Sequence, residues 1–297
     1  MKRLFLLCMV AGAVLAAASC ERPGQKLQTE IFDCEDATDH GSFAMFAEYP
    51  TARKGAGAAI REDLMRVVDD QLAYMFSYEG ERQFPEYTGN RKDMDAFFAY
   101  YREQGLGLLE RLAEEDLHEM MEAIEESGEY TEKEKEDFLN DRPGWEYDFT
   151  LAQVVDTLGY AVYLSEDYIY AGGAHGGVLG QGYLTYDKKT GKRVEHVIDP
   201  DCTEQIQPLL EAGLIDYFTG SDGTVPSPEE LRDWLFIDEG DPIPLPAWEP
   251  SPAEEGILFV YQQYEIAAYA MGMPSFAVPY ADIAPFLTPE AKALLKL

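Results

Sequence analysis

The sequence predicts an α+β protein: a largely antiparallel sheet with helices packed on it, and a helical insertion in the N-terminal half. Three observations carry this reading. Apolar residues recur at intervals of three and four between residues 58 and 126, the period of amphipathic helices. From Trp145 the period shortens to two, that of strands. Helix-like and strand-like stretches are grouped along the chain rather than alternating, which favours α+β over a parallel α/β fold. Aromatic residues at 12% and hydrophobic residues at 46% supply enough apolar surface for a core and exclude a disordered chain.

The chain begins with Lys2 and Arg3, then an apolar run from Leu4 to Ala18 closed by Ser19 and Cys20. The run falls short of the roughly 20 residues a bilayer span needs and ends in small residues without a basic flank, the pattern of a cleaved signal peptide over residues 1–19. Ala17-Ala18-Ser19-Cys20 resembles the bacterial lipobox, with Ala17 where leucine is usual. The resemblance implies that Cys20 takes a lipid and becomes the mature N-terminus. An ordinary A-x-A cleavage beside an incidental cysteine is the alternative. Residues 20–27, with Pro23 and Gly24, read as a tether from the lipid. The expected location is the cell envelope, lipid-anchored and extracytoplasmic, on the periplasmic or outer side.

Two thiols then remain in the folded part, Cys34 and Cys202. An oxidising compartment lets them pair if geometry allows, and two free, half-buried thiols are the equal alternative. The full chain carries a net charge of −33; removing Lys2 and Arg3 from its 23 basic residues leaves 21 against 56 acidic ones, or −35. Nucleic acid and anionic lipid surfaces are disfavoured as partners, and a basic protein or cationic polymer would be steered toward the chain. The bland reading of the same charge is solubility of a secreted protein.

Along the folded part, Ile60, Leu64, Val67, Val68, Leu72, Met75 and Phe76 form the apolar side of a helix over residues 58–76. A second helical stretch runs from Asp93 to Glu126, where Gly105 and Gly107 are expected to break it in two. Thr131 and Glu134 match a capping box opening a short helix that stops before Pro143. The acids between Glu110 and Glu136 read as a solvated helix face, with a docking face for a basic partner as the sharper alternative. Strands follow at Trp145–Leu151 and Tyr160–Leu164, then a hairpin of Tyr183–Asp187 and Lys192–Val197 around a turn whose Gly191 takes positive φ. Helices are expected at Cys202–Phe218, capped by Asp201, and at Pro228–Leu235, where Ser227 and Glu230 form a box. After a proline-rich stretch from Asp238 to Pro252 come strands at Ile257–Tyr261 and Phe276–Val278, then short helices at Tyr280–Phe286 and Pro289–Leu295. The division expected is an N-terminal α+β region over 28–157 and a C-terminal α+β domain over 158–297.

No H-x-x-x-H, C-x-x-C, G-x-S-x-G or phosphate-loop motif is present, so no cofactor or metal is expected. Of the four histidines only His175 has an unusual setting, Tyr170-Ala171-Gly172-Gly173-Ala174-His175-Gly176-Gly177. Its sharp reading is a metal ligand or general base; its bland reading, which we favour, is an imidazole bonding the backbone of a tight turn, because neither an orienting partner nor a nucleophile is nominated.

That segment opens a series of blocks. Tyr170 to Gly176 is followed by Asp187 with Thr190-Gly191-Lys192, by Tyr264-Glu265-Ile266-Ala267-Ala268-Tyr269-Ala270-Met271-Gly272, and by Val278-Pro279-Tyr280. In this order the blocks resemble the ectodomain module of RsiV-type anti-sigma factors, domain of unknown function 3298, which also precedes the catalytic domain of PdaC-type peptidoglycan deacetylases. The resemblance covers about residues 160–287; Glu48-Tyr49-Pro50 and the helix after Ala58 resemble the usual preceding partner domain only weakly. It implies an extracytoplasmic α+β module without activity of its own, and in the RsiV branch binding of lysozyme, a basic muramidase. The chain departs from that branch in having no N-terminal anti-sigma segment and no deacetylase domain after the module. The function expected is a non-catalytic lipoprotein binding a basic wall-active protein, lysozyme-like, or a cell-wall glycan. The competing expectation is a wall or polysaccharide hydrolase using His175. If Cys20 carries the lipid, Cys20→Ala moves the protein from the detergent to the aqueous phase on partitioning; a mutant retained in detergent refutes the lipobox reading.

Overall fold

The structure, a computed structural model, describes residues 25–77, 80–141, 144–172, 176–220, 223–238 and 240–297. The expected signal peptide, Cys20, Gly173 and His175 lie outside the described residues. Five strands form the main sheet: β1 (Thr29–Ala37), β2 (Gly41–Pro50), β3 (Trp145–Asp156), β4 (Tyr160–Tyr170) and β5 (Val178–Asp187), side by side in chain order. The β1–β2, β3–β4 and β4–β5 pairs are antiparallel and the β2–β3 pair is parallel. A parallel neighbour cannot be reached by a tight hairpin and needs a crossover. The crossover here is helical: α1 (Gly55–Ala73), α2 (Met94–Ser127) and α3 (Glu132–Asp141). The α+β class and the helical insertion are as the sequence predicts, with β1 and β2 as additions. Phe43, Met45, Ala47 and Tyr49 alternate inward along β2 with the period of a half-buried strand.

The helices cover one face. Phe43, Met45, Tyr147, Phe149, Leu151, Tyr163 and Leu184 on the strands meet Ile60, Leu64, Leu72, Phe97, Phe98 and Leu109 on α1 and α2 in one buried cluster. The predicted break in α2 is absent. Gly105 is a close-approach residue: a Cβ there would lie 2.5 Å from Cε2 of the Phe43 ring, so the glycine lets the helix sit directly on the sheet. Gly107 faces open space. Ion pairs tie the insertion down, with Asp69 bound by Arg82 and Tyr101, and Arg102 of α2 bound to Asp36 of β1, Nη2 to Oδ1 2.6 Å. At the far end of the sheet the buried Lys188–Asp156 pair also holds the carbonyl of Gln25 and the backbone N–H of Leu27, so the start of the described chain is fixed to the fold.

After β5 the chain leaves the sheet. Asp187 caps a tight turn, its carboxylate accepting from Lys189 N–H and Thr190 Oγ1, and Gly191 takes φ 76° against the carbonyl of Ala56, as the turn chemistry predicts. The returning strand expected over Lys192–Val197 is reduced to an isolated bridge, Tyr186 to Arg193. The physical reason is that Val194, Val197 and Ile198 turn into a second apolar core. This core contains α4 (Gln207–Phe218), α5 (Pro228–Trp234), a small antiparallel sheet of β6 (Ser251–Pro252), β7 (Gly256–Val260) and β8 (Ser275–Pro279), and the terminal α6 (Tyr280–Ile283) and α7 (Pro289–Leu295). The helix expected from Cys202 starts at Gln207, behind a 3₁₀ turn over Pro200–Cys202 that Asp199 caps in place of Asp201. The Ser227/Glu230 capping box is formed. The apolar interior thus divides between Tyr186 and Val194, while residues 157 and 158 lie in the turn joining β3 to β4.

Two glycines of one helix should answer the same substitution with opposite signs. Gly105→Ala forces its methyl into the Phe43 ring and should cost about 1–3 kcal/mol of overpacking, more than the helix propensity gained. Gly107→Ala meets no neighbour and should stabilise by about 0.5–1 kcal/mol. Thermal denaturation of both variants checks this; equal shifts would refute the packing argument.

Candidate functional site

The face of the main sheet away from the helices is open over most of its area. Cross-strand register defines its rows: Glu35, Ala44, Asp148, Tyr168 and Leu179 lie side by side, as do Asp33, Phe46, Thr150, Glu166 and Gln181. Above them sits the row of Ser42, Glu146 and Tyr170. On β2 to β5 these side chains are half-buried, and on β1 they are exposed. One end of the face, at Val162 and Thr185, is closed by the small sheet, where Thr185 Oγ1 and Ser251 Oγ are 3.3 Å apart.

Glu48 and Glu166 have partners, accepting from Thr29 and Gln153 and from Gln181 respectively. Among the described residues Asp33, Glu35, Glu146 and Asp148 form no ion pair, and no lysine or arginine stands in these rows. Burial and the nearby Glu146 and Glu35 carboxylates push the Asp148 carboxyl above the ordinary range. Burial, Glu146 and Asp148 likewise push up the Tyr168 phenol, together with Tyr269 and Tyr170. An open depression of about 420 Å³ continues the face past its upper row, lined in part by Asp39, His40, Trp145, Glu146 and Tyr170. His40 Nε2 is 3.6 Å from Glu114. Among the described residues no group of three or more histidines, cysteines or carboxylates could hold a metal, and no helix is long and apolar enough to cross a membrane.

The other edge of the site is built by the turn after β7. Gln262 presents its amide as a strand would, its Oε1 accepting from Gln181 N–H and its Nε2 donating to Gln181 carbonyl, while Gln263 Oε1 accepts from Leu179 N–H. Tyr269 donates its hydroxyl to Gly177 carbonyl at 2.7 Å. Glu265 clamps the turn from inside, accepting from Ala247 and Gln262 N–H at 2.6 Å each. The outer edge of β5 is therefore satisfied by side chains instead of by a further strand.

The motif residues converge here in part. Gly176 takes φ 80° with Tyr269 Oη 3.2 Å from where its Cβ would stand; Gly177 lies flat under the Tyr168 ring. Tyr264 and Tyr269 stand ring to ring at 5.5 Å. Gly172 and Gly272 also take positive φ, Gly272 where a Cβ would crowd Tyr217. Asp187, Thr190 and Gly191 form the separate turn described above. Pro279 and Tyr280 belong to the second core's edge, Tyr280 donating to Ala253 carbonyl. Cys34 on β1 and Cys202 beside the second core are both free, so the pairing alternative is not realised. Cys34 packs against the first core, and Cys202 closes the 3₁₀ turn over Pro200–Cys202.

Tyr264 was legible as a motif residue but not as a strained one. Its φ is 65° and it is 52% exposed. A bulky residue in that region costs about 1–3 kcal/mol. Phe76 shares the conformation at φ 58°, but its ring packs on Trp145 and Tyr147 at 5.0 and 5.9 Å. Tyr264 has no comparable burial to offset its strain.

On the helix-covered face Asp167, across from Gly180, is pushed up to about 6 by burial and by Glu166, and among the described residues no hydrogen bond reaches its carboxylate. A carboxyl whose folded pKa exceeds its unfolded value favours the fold while protonated, and that contribution is lost as pH rises from about 4 to about 6. Asp167→Asn should therefore raise the melting temperature at pH 7, by on the order of 1–2 kcal/mol of stability, and leave it nearly unchanged at pH 3.5. A pH-independent shift would refute the burial argument.

A family model described as a protein of unknown function, DUF3298, matches residues 251–281, from β6 into α6. That stretch holds the Tyr264–Gly272 and Val278–Tyr280 blocks; the two earlier blocks lie outside it. No curated protein matches the chain. Among solved structures, a DUF3298 family member from Bacteroides fragilis NCTC 9343 is similar with a TM-score of 0.63 at 16% identity, covering 92% of this chain and 98% of that one. A DUF3298 family protein from Pseudomonas aeruginosa PAO1 is similar with a TM-score of 0.53 at 15% identity, over 91% and 98%. The chain thus shares its fold, across both cores, with two members of the DUF3298 family, and that family's model matches residues 251–281 of its second core.

Proposed function

We propose that this is a non-catalytic lipoprotein of the RsiV-like ectodomain type, held by lipid at Cys20 outside the cytoplasm, that binds a basic, cell-wall-active protein such as a lysozyme. One observation carries the choice of partner: Asp33, Glu35, Glu146 and Asp148 stand on an open sheet face and, among the described residues, pair with no cation. Asp148, partly desolvated and crowded by Glu146 and Glu35, is relieved by a cation from outside, and a protein of net charge −33 draws basic partners from a distance. A neutral glycan would leave that repulsion in place, so the face favours the protein partner of the two that the sequence brings forward. The motif resemblance supports the same reading.

Binding of hen lysozyme to the immobilised mature chain tests it. Complementary charge acts mainly on association, and the screening length shrinks from about 30 Å at 0.01 M salt to about 10 Å at 0.1 M. The association rate should fall steeply over that range, with dissociation changing less. Glu146→Gln with Asp148→Asn should slow association at low salt by about threefold to tenfold. Binding insensitive to salt, or wall hydrolysis by the chain that His175→Ala abolishes, would overturn the assignment.

A further inference from the structure

The turn over residues 262–265 commits every side chain but one to the fold. Gln262 and Gln263 pair with the edge of β5, and Glu265 clamps the turn's own backbone and Ala247. Tyr264, between them, is held at positive φ with its ring outward. Exposed rings and backbone strain both go against stability, and their coincidence at one residue on a rigid support marks a functional position. The ring is backed by Tyr269, whose hydroxyl is fixed on Gly177, and Gly177 in turn supports Tyr168, which lies beside Asp148 in the sheet. Tyr264 is therefore joined to the unpaired carboxylates through the Tyr269 ring, the Gly177 backbone and Tyr168.

We propose that Tyr264, backed by Tyr269, is the anchor of the partner surface and receives a guanidinium or ammonium group of the basic protein on its ring face. The proposal rests on the binding reading above. An aromatic face attracts a cation through its quadrupole, and the carboxylates joined to it strengthen the attraction. A tyrosine with two side-chain torsions on a fixed turn loses little entropy on binding, which is why such residues dominate interface energetics. The net charge excludes an anionic occupant such as nucleic acid or an acidic bilayer.

Tyr264→Gly removes the ring and places in the turn the residue best suited to positive φ, so the fold should be retained and the melting temperature should not fall. Tyr264→Asn, which also tolerates that conformation, provides a second ring-less variant, and Tyr264→Phe keeps the ring face. With hen lysozyme at low salt, the ring-less variants should bind about tenfold more weakly, through faster dissociation, with the salt dependence of association unchanged. Tyr264→Phe should bind as the parent does. Parent-like lysozyme affinity in folded ring-less variants overturns the anchor and leaves the binding reading standing. Absence of lysozyme binding to the parent protein at low salt overturns both. Chitotetraose binding by the parent that the ring-less variants lose, with lysozyme binding unchanged, reassigns the ring to a glycan.

Discussion

The parallel pairing of β2 with β3 is the constraint on which the rest of the architecture depends. Every other neighbour in the main sheet is antiparallel and could be joined by a tight turn, whereas this pair requires the chain to travel from one end of the sheet to the other. The return is made by α1, α2 and α3, of which α1 and α2 lie over one face and bury the inward side chains of the strands. The consequence for function lies on the opposite face. With the helices spent on one side, Glu35, Glu146, Asp148 and Tyr168 are left facing outward, and among the described residues the three carboxylates form no ion pair.

The second dependency is the treatment of the sheet's two edges. A bare strand edge invites pairing with another chain. At β1 the answer is charge: Asp33 and Glu35 are exposed and Asp36 is held by Arg102. At β5 the answer is the turn of the second core, whose glutamine amides take the place of a strand. That docking joins the two cores and also gives Tyr264 its rigid support. A turn that serves as an edge cap can tolerate a strained residue because the hydrogen bonds on either side over-determine its shape.

Elements whose signals are local were legible from the residues alone. The Ser227/Glu230 box, the Thr131/Glu134 box, positive φ at Gly191 and the period-two strands from Trp145 each depend on chemistry within a few residues. The misreadings share one cause. Gly105 looks like a helix breaker until Phe43 is placed beneath it; residues 192–197 look like a returning strand until Val194 and Val197 are drawn into the second core. In both, a distant contact outweighs a local preference. The alternation of Phe43, Met45, Ala47 and Tyr49 was present in the chain, but only pairing with β3 makes β2 a central strand of the sheet.

By itself the sequence determined the α+β class, the strongly acidic net charge and the motif blocks, because composition and periodicity are properties of the chain before it folds. Only the tertiary structure decided which acids stand unpaired together, that Cys34 and Cys202 are free, and that Tyr264 is strained and exposed. These depend on cross-strand register and on a docked turn that brings residues 262–269 against residues 177–181. Side chains far apart in the chain become neighbours there through backbone pairing that no local pattern encodes.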